Sequence, residues 1–309
     1  MAVGESTTRR NLTAEERTRI AANLFPAAHA VLHREGFPWH RDADGAATAG
    51  LPQSSQALAL DLFETVRGLA SASAILDAWS DLLGCSMGDT ITITPEVEIK
   101  RELLGEPRPT QVDVLLDGQR SVTLLECKFT EPDGGSCSQT QKRLNLRLPG
   151  TPPAAQCNGR YEEQMNPFTG QSARCVLTAK GVRYWDFIPK VLDIRADVDH
   201  SPKCPFAGGA YQWMRNLVGA YALATTSHRA GAFAIVYADG VFPMAKKLKT
   251  KEWATFVAQV TGTVPLRSAS YQALVTRARA ATDGADSAVL DALAQWIERK
   301  VAIASGATV

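Results

Sequence analysis

The chain is an α/β protein by sequence: helices lead into an antiparallel β-meander, a cysteine-bearing insertion follows, and a helix, a strand and a helical C-terminus close it. Three observations point there. Apolar residues recur at helical spacing up to about residue 83. The period turns to alternation between Thr90 and Phe129. Residues 130–205 then lose both periods in favour of Gly, Pro, Asn and Gln. The expected organisation is an N-terminal helical extension over 1–50, a core over 51–240 that includes the insertion 130–205, and a helical segment over 241–309.

Taken in order, Thr13 with Glu16 three positions on forms a capping-box pattern that starts a helix over 13–34. The run His33-Arg-Glu-Gly-Phe-Pro-Trp-His40 breaks it. Ser54 or Ser55 caps a second helix through Ala57, Leu58, Leu60, Leu62, Phe63 and Val66. A third spans 73–83. The β-branched run from Thr90 predicts a strand that continues past Pro95 to Ile99. Residues 111–116 and 121–129 are the second and third strands, and Asp117-Gly118 between them signals an antiparallel hairpin. Within the insertion only 161–165 and 184–192 look helical. Residues 211–225 then form a helix, 231–237 an almost wholly apolar strand buried on both faces, and 250–303 are read as helical.

Composition bounds the function. The 309 residues carry 33 Lys+Arg against 32 Asp+Glu, a net charge of +1, which excludes a histone-like polycation or an acidic tail. A nucleic-acid site must therefore come from the placement of charge. With 45% hydrophobic and 21% charged residues, disorder is excluded as the main state. Six cysteines are too few for a disulfide scaffold, and residues 1–30 lack the apolar core of a signal peptide. No run reaches the ~18–20 apolar residues that span a bilayer. The expected location is the cytoplasm, where spaced thiols more often bind metal than bridge.

The third strand is unusual because Glu126 and Lys128, two apart and so on one face, interrupt an apolar run. On its neighbour Asp113 stands between Val112 and Val114. Paired as a hairpin, the strands bring Asp113 and Glu126 near the open end, where a twist or bulge would join the carboxylates. Two converging carboxylates are hard oxygen ligands suited to Mg²⁺. A lysine beside them orients or deprotonates water, or neutralises charge on a phosphate, which is the equipment for metal-assisted phosphodiester hydrolysis. A solvated Glu/Lys pair on an exposed face is the plain alternative, and the added Asp113 and apolar flanks weigh against it.

Asp113, twelve residues, then Glu126-Cys127-Lys128 resembles the PD-(D/E)XK motif of the restriction-endonuclease-like nuclease superfamily, with Val112 in place of the motif's proline. Ser54-Ser-Gln56, Glu126-Cys-Lys-Phe-Thr-Glu131, Arg160-Tyr161-Glu162, Cys204-Pro-Phe and Tyr211-Gln-Trp-Met-Arg-Asn216 resemble landmarks of a bacterial branch of it. The resemblance covers about residues 50–240. It implies a core of helix, three strands, helix, strand, with Mg²⁺ (or Mn²⁺) as cofactor and DNA as partner. Asp113 and Glu126 would be metal ligands, the Cys127 carbonyl a further ligand, and Lys128 the base or water-positioning cation. A further acidic residue commonly assists, and Glu98 is the first choice with Glu64 the second. Gln212 and Arg215, three apart on one helical face, would approach the site together, Arg215 toward phosphate.

Cys137, Cys157, Cys175 and Cys204 are separated by 19, 17 and 28 residues, unlike the paired knuckles of common zinc modules. Four thiols in an under-cored insertion would nonetheless supply a site for Zn²⁺ or a [4Fe–4S] cluster. Some nucleases of the superfamily carry a cysteine-ligated iron–sulfur cluster, with ligands arranged differently. Free buried cysteines are the alternative, and Cys85 and Cys127 are assigned to it. His200, four before Cys204, is a substitute ligand. Lys246, Lys247, Lys249 and Lys251, with Lys142, Arg143 and Arg147, are basic places that would meet a DNA backbone or simply be solvated. The expected function is a Mg²⁺-dependent deoxyribonuclease. The rivals are a catalytically idle module of the same fold and a thiol-metal sensor or structural protein.

Overall fold

A computed structural model describes residues 10–143, 152–165, 169–194 and 203–306; Arg147 and His200 lie outside them. Thr13 caps α1 (Ala14–Asn23), and the reciprocal bond between Glu16 and the Thr13 backbone completes the capping box. The chain then tightens into a 3₁₀ helix over Pro26–His33, so the long first helix is in fact two pieces broken at Pro26. Ser54 caps α2 (Ser55–Gly68) through the Ala57 amide. This helix is buried nearly all round. One side meets the sheet, and Ala57 and Leu60 face Ile20, Leu24, Val31, Phe37 and Trp39 of the N-terminal segment. Helix α3 (Ala72–Ala78) follows.

Three strands come next: β1 (Ile91–Ile99), β2 (Thr110–Gly118) and β3 (Ser121–Lys128). Strand β1 pairs antiparallel with β2, and β2 with β3. Asp117 pairs with Val122, so the tight connection falls at Gln119-Arg120 and not at Asp117-Gly118. The reason is Asp89, whose carboxylate accepts the amides of Gln119, Arg120 and Ser121 at 3.0 Å each and so shapes the turn from outside. Within the insertion, Gln164–Met165 pairs antiparallel with Ser172–Ala173, correcting the helix expected over 161–165. Helix α4 (Tyr184–Val191) forms where expected.

Helix α5 (Tyr211–Ser227) precedes β4 (Ala230–Tyr237), which runs parallel to β3 and is its other neighbour. A Cβ on Gly231 would stand 2.8 Å from the Ala224 Cβ and 2.9 Å from the Ala220 carbonyl oxygen, so the glycine allows α5 to lie close on the sheet. After α6 (Lys251–Ala258) the expectation of unbroken helix fails, because Leu266–Ser270 is a fifth strand, β5, parallel to β4. Its Ser- and Ala-rich sequence has neither alternation nor strand propensity. The uncovered edge of β4 recruits it, and Gly262 and Pro265 are the only local signs of a break. Helices α7 (Tyr271–Ala280) and α8 (Gly284–Ala304) complete the fold.

The sheet order is β1-β2-β3-β4-β5, with β3 and β4 central and almost wholly buried. One face packs against α2, α3, α7 and α8, the other against α4, α5 and α6. The C-terminal helices thus share a core with α2. Lys300 of α8 donates to Asp61 of α2 at 2.7 Å and to the Asn23 carbonyl at 2.7 Å. Among the described residues no helix is long and apolar enough to cross a membrane.

Candidate active site

The strands that carry the carboxylates are regular except at one level of the sheet. Pro95 pairs with Val114 and Val97 with Val112, but Glu96 and Asp113, opposite each other between them, are not paired. Glu96 has a φ of +57°, the left-handed region that a side chain rarely occupies. Both strands change faces there. Ile93 and Ile99, six apart and due to share a face, join opposite cores, as do Val114 and Val112. On the β3 side, Val114 is the last residue of β2 in register, paired with Leu125. Beyond it the Asp113 carboxylate accepts the Cys127 amide at 2.7 Å, in the place of a ladder carbonyl. Glu96, Asp113 and Glu126 therefore form one row across three strands.

His40, from the loop after the 3₁₀ helix, brings its Nε2 to 3.3 Å from Glu96 Oε2. His40, Glu96 and Asp113 each offer a ligand atom within 4.8 Å of the other two. Two glutamines fix Glu96: Gln56 of α2 donates to one oxygen at 2.7 Å, Gln111 of β2 to the other at 2.5 Å. Gln56 also accepts the His40 amide at 2.9 Å, which ties the loop to the helix.

At the other end of the row Lys128 donates to Glu126 Oε1 at 2.7 Å and to Gln212 Oε1 of α5 at 3.0 Å. Asn216, one turn along α5, donates to Glu126 Oε2 at 2.6 Å. Glu126 and Lys128 are 4% and 5% exposed, so this ion pair works in a desolvated setting. The Cys127 carbonyl lies, by strand geometry, on the same edge as its amide, toward Asp113. Its side chain packs in the apolar core on the opposite face, and Cys85 is buried in the same core, as expected for both.

Charge in the row is divided unevenly. Burial, then the neighbouring Glu126 and Glu96, push the Asp113 carboxyl well above the usual carboxylate range. Burial pushes Glu126 the same way, but Lys128, Arg215 and Asn216 outweigh it and hold that carboxyl below its ordinary value. Burial favours a neutral Lys128 amine, yet Glu126 and Asp113 raise its pKa above the usual lysine value, so it is an ammonium. For His40, burial is again the largest opposing effect, and Glu96, Asp113 and Glu131 overcome it to give about 9.

The expected residues are thus placed as follows. Asp113, Glu126, Cys127 and Lys128 come together, and Gln212 joins them through Lys128. Arg215 lies near Glu126, and its buried Nε makes no hydrogen bond among the described residues. Glu98 is exposed and does not join the Asp113 group; the β1 carboxylate that does is Glu96. Glu98 instead lines an open cleft of about 610 Å³ with Arg10, Phe37, Trp39, His40 and Gln111, which leads to the Glu96 end of the row. Glu64 is taken up in ion pairs with Arg34, at 2.8 Å, and Arg67. Lys247 and Lys251 line a separate groove beside Trp213 and Phe256, and Lys246 and Lys249 are exposed, as are Lys142 and Arg143. His40, Glu96, Gln56 and Asn216 are site residues that sequence reasoning did not assign. Gln56 and Asn216 stood in the quoted landmarks, Glu96 was masked by the face change after Pro95, and His40 carried only the signal of an aromatic-flanked histidine.

A meander with a carboxylate row, a paired lysine, and a parallel strand delivered by the α5 crossover is the arrangement of a restriction-endonuclease-like protein. A family model described as "Restriction Endonuclease associating with ARP" matches residues 5–299, and the chain belongs to that family. No curated protein and no solved structure matches it.

Proposed function

We propose that the protein hydrolyses phosphodiester bonds in DNA with Mg²⁺ or Mn²⁺ as cofactor. The observation that carries this reading is the single row of Glu96, Asp113 and Glu126 with Lys128 held at its end. The donor set fits a divalent cation: His40, Glu96 and Asp113 converge, Glu126 and the Cys127 carbonyl flank Asp113 on the other side, and all but the imidazole are oxygen ligands. When bound, such an ion polarises a phosphoryl oxygen and lowers the pKa of its water. The family name, a restriction endonuclease, supports DNA as the substrate.

The chain's own groups do the rest. Lys128, fixed by Glu126 and Gln212, presents its remaining N–H to a water or to charge building on the phosphate. As an ammonium it acts as a positioning cation and not as a base. Asn216 keeps Glu126 from rotating, and Gln56 with Gln111 do the same for Glu96. Arg215, whose charge lowers the Glu126 pKa, is the cation assigned to a phosphate oxygen there, and Arg10 stands in the cleft beside His40. The test is incubation of supercoiled plasmid and single-stranded DNA with the full chain in Mg²⁺, Mn²⁺ or EDTA. Cleavage with either ion and none with EDTA is expected; cleavage in EDTA, or none in any condition, would refute the reading.

A further inference from the structure

Away from the carboxylate row, Cys137, Cys157, Cys175 and Cys204 are free thiols on segments that the fold brings together, although 66 residues lie between the first and the last. Backbone bonds gather them. The Gln139 carbonyl accepts the amides of Gln156 at 3.0 Å and Cys157 at 2.9 Å, which ties the first cysteine's segment to the second's. The Gly159 carbonyl accepts the Cys204 amide at 2.8 Å, and Arg160 bridges Lys203, which ties the second to the fourth. Arg174, next to Cys175, donates to the Tyr161 carbonyl at 2.7 Å and lies over the Tyr161 ring. The Gly159 amide donates to Cys157 Sγ at 3.4 Å.

The apolar core explains only part of this convergence: Cys204 packs against the core that α4 and α5 share, and Tyr161 meets it through Trp185. Between Phe129 and Val176 the buried apolar side chains, among the described residues, are Cys137 and Tyr161 alone. A segment so poor in burial needs another source of cohesion. We propose that Cys137, Cys157, Cys175 and Cys204 hold a metal centre, and that it is a four-iron, four-sulfide cluster and not a single zinc ion. Sulfurs at ~2.3 Å from one tetrahedral zinc lie roughly 3.8 Å apart. Only His40, Glu96 and Asp113 bring three ligand atoms within 4.8 Å, among the described residues, so the thiols are set wider than zinc requires. A cubane binds each thiolate at a different iron corner and takes a wider set.

The centre sits at the root of α5. The Gly134 and Gly135 carbonyls accept the amides of Gln212 at 2.7 Å and Tyr211 at 3.2 Å, and the Gly134 amide donates to Gly209 at 2.9 Å. A Cβ on Gly134 would lie 2.7 Å from the Trp213 indole, so this loop is seated directly on the helix. Loops from Cys137 and from Cys204 thus meet where α5 starts, and α5 carries Gln212 to Lys128. The cluster's role is structural: it fixes the helix that holds the lysine.

The test is metal and sulfide analysis with the absorption spectrum of the full chain, purified without oxygen and then supplied with iron and sulfide. About four iron and about four sulfide per chain with broad absorbance near ~400 nm are expected. Cys157→Ser and Cys175→Ser should lose more than half of the iron, whereas Asp113→Asn should keep all of it, which separates this centre from the carboxylate row. One zinc per chain would overturn the cluster, and a wild-type chain that takes up no metal would overturn the centre altogether. The wild-type result decides even if the serine variants fail to fold.

Discussion

Glu96 and Asp113 stand opposite each other at the one level where β1 and β2 leave their pairing, and both strands exchange faces there. The backbone defect and the candidate site are the same feature. A left-handed residue costs about 1–3 kcal/mol in a non-glycine position. Here Glu96 is held by Gln56, Gln111 and His40, which offsets that cost and aims the carboxylate at Asp113.

The β1 carboxylate that joins the Asp113 group is Glu96 and not Glu98, and the proposed reaction gives Glu96 the part of the assisting acid. Glu96→Gln should reduce DNA cleavage by at least about 100-fold, the scale of removing one preorganised charged group. Glu98→Gln should leave it within about threefold. Side-by-side single-turnover rates check this, and equal losses in the two variants would contradict it.

Cation binding should depend on pH with a defined sign. Asp113 and His40 both hold protons more tightly in the fold than in the unfolded chain. The stability they confer without metal is full at low pH and is lost as pH rises through their folded values. A cation must displace these protons, so binding should release protons and strengthen as pH rises toward about 9. Calorimetry of Mn²⁺ binding in buffers of different ionisation enthalpy measures the release. The gain in Tm from Mn²⁺ should be larger near about pH 8.5 than near about pH 6; the reverse order would count against it.

The buried pair Asp61 and Lys300 ties α2 to α8. Burial, the largest influence, raises the Asp61 carboxyl, and Lys300 opposes it. Lys300→Met should cost about 3–5 kcal/mol at neutral pH, because it leaves a buried carboxyl without its partner. Asp61 would then take up a proton in the fold, so the cost should shrink as pH falls toward the unfolded value near ~4. Urea unfolding at neutral and mildly acid pH tests both halves.

Gly231→Ala should destabilise the fold by about 1–3 kcal/mol by pressing a methyl into Ala224 and the Ala220 carbonyl. Because α5 would lift from the sheet, Gln212 and Asn216 would move from Lys128 and Glu126, so cleavage should fall as well. Thermal unfolding and cleavage rate measured on one preparation check the coupling; a loss of stability with unchanged rate would break it.

Much of this was readable in the sequence, for identifiable reasons. Asp113, Glu126 and Lys128 interrupt apolar strands, so charge inside a hydrophobic pattern marked them. Helix caps at Thr13 and Ser54 are local chemistry and formed as read. What was missed depends on tertiary context. A face change at Glu96 is invisible to a period-two rule that puts Glu96 and Glu98 on one side. His40 reaches the site from a loop 56 residues before Glu96, so only the fold reveals it. Strand β5 exists because β4 offers an edge, not because Leu-Arg-Ser-Ala-Ser favours extension.

The most direct test of metal-assisted hydrolysis at this row is the cleavage of plasmid DNA in Mg²⁺ by the wild type, Asp113→Asn and Glu126→Gln, with circular dichroism and Tm recorded on each. The row predicts nicking by the wild type and none by either variant, while both remain folded and Asp113→Asn loses Mn²⁺ binding. Unchanged nicking by a folded Asp113→Asn protein would contradict it.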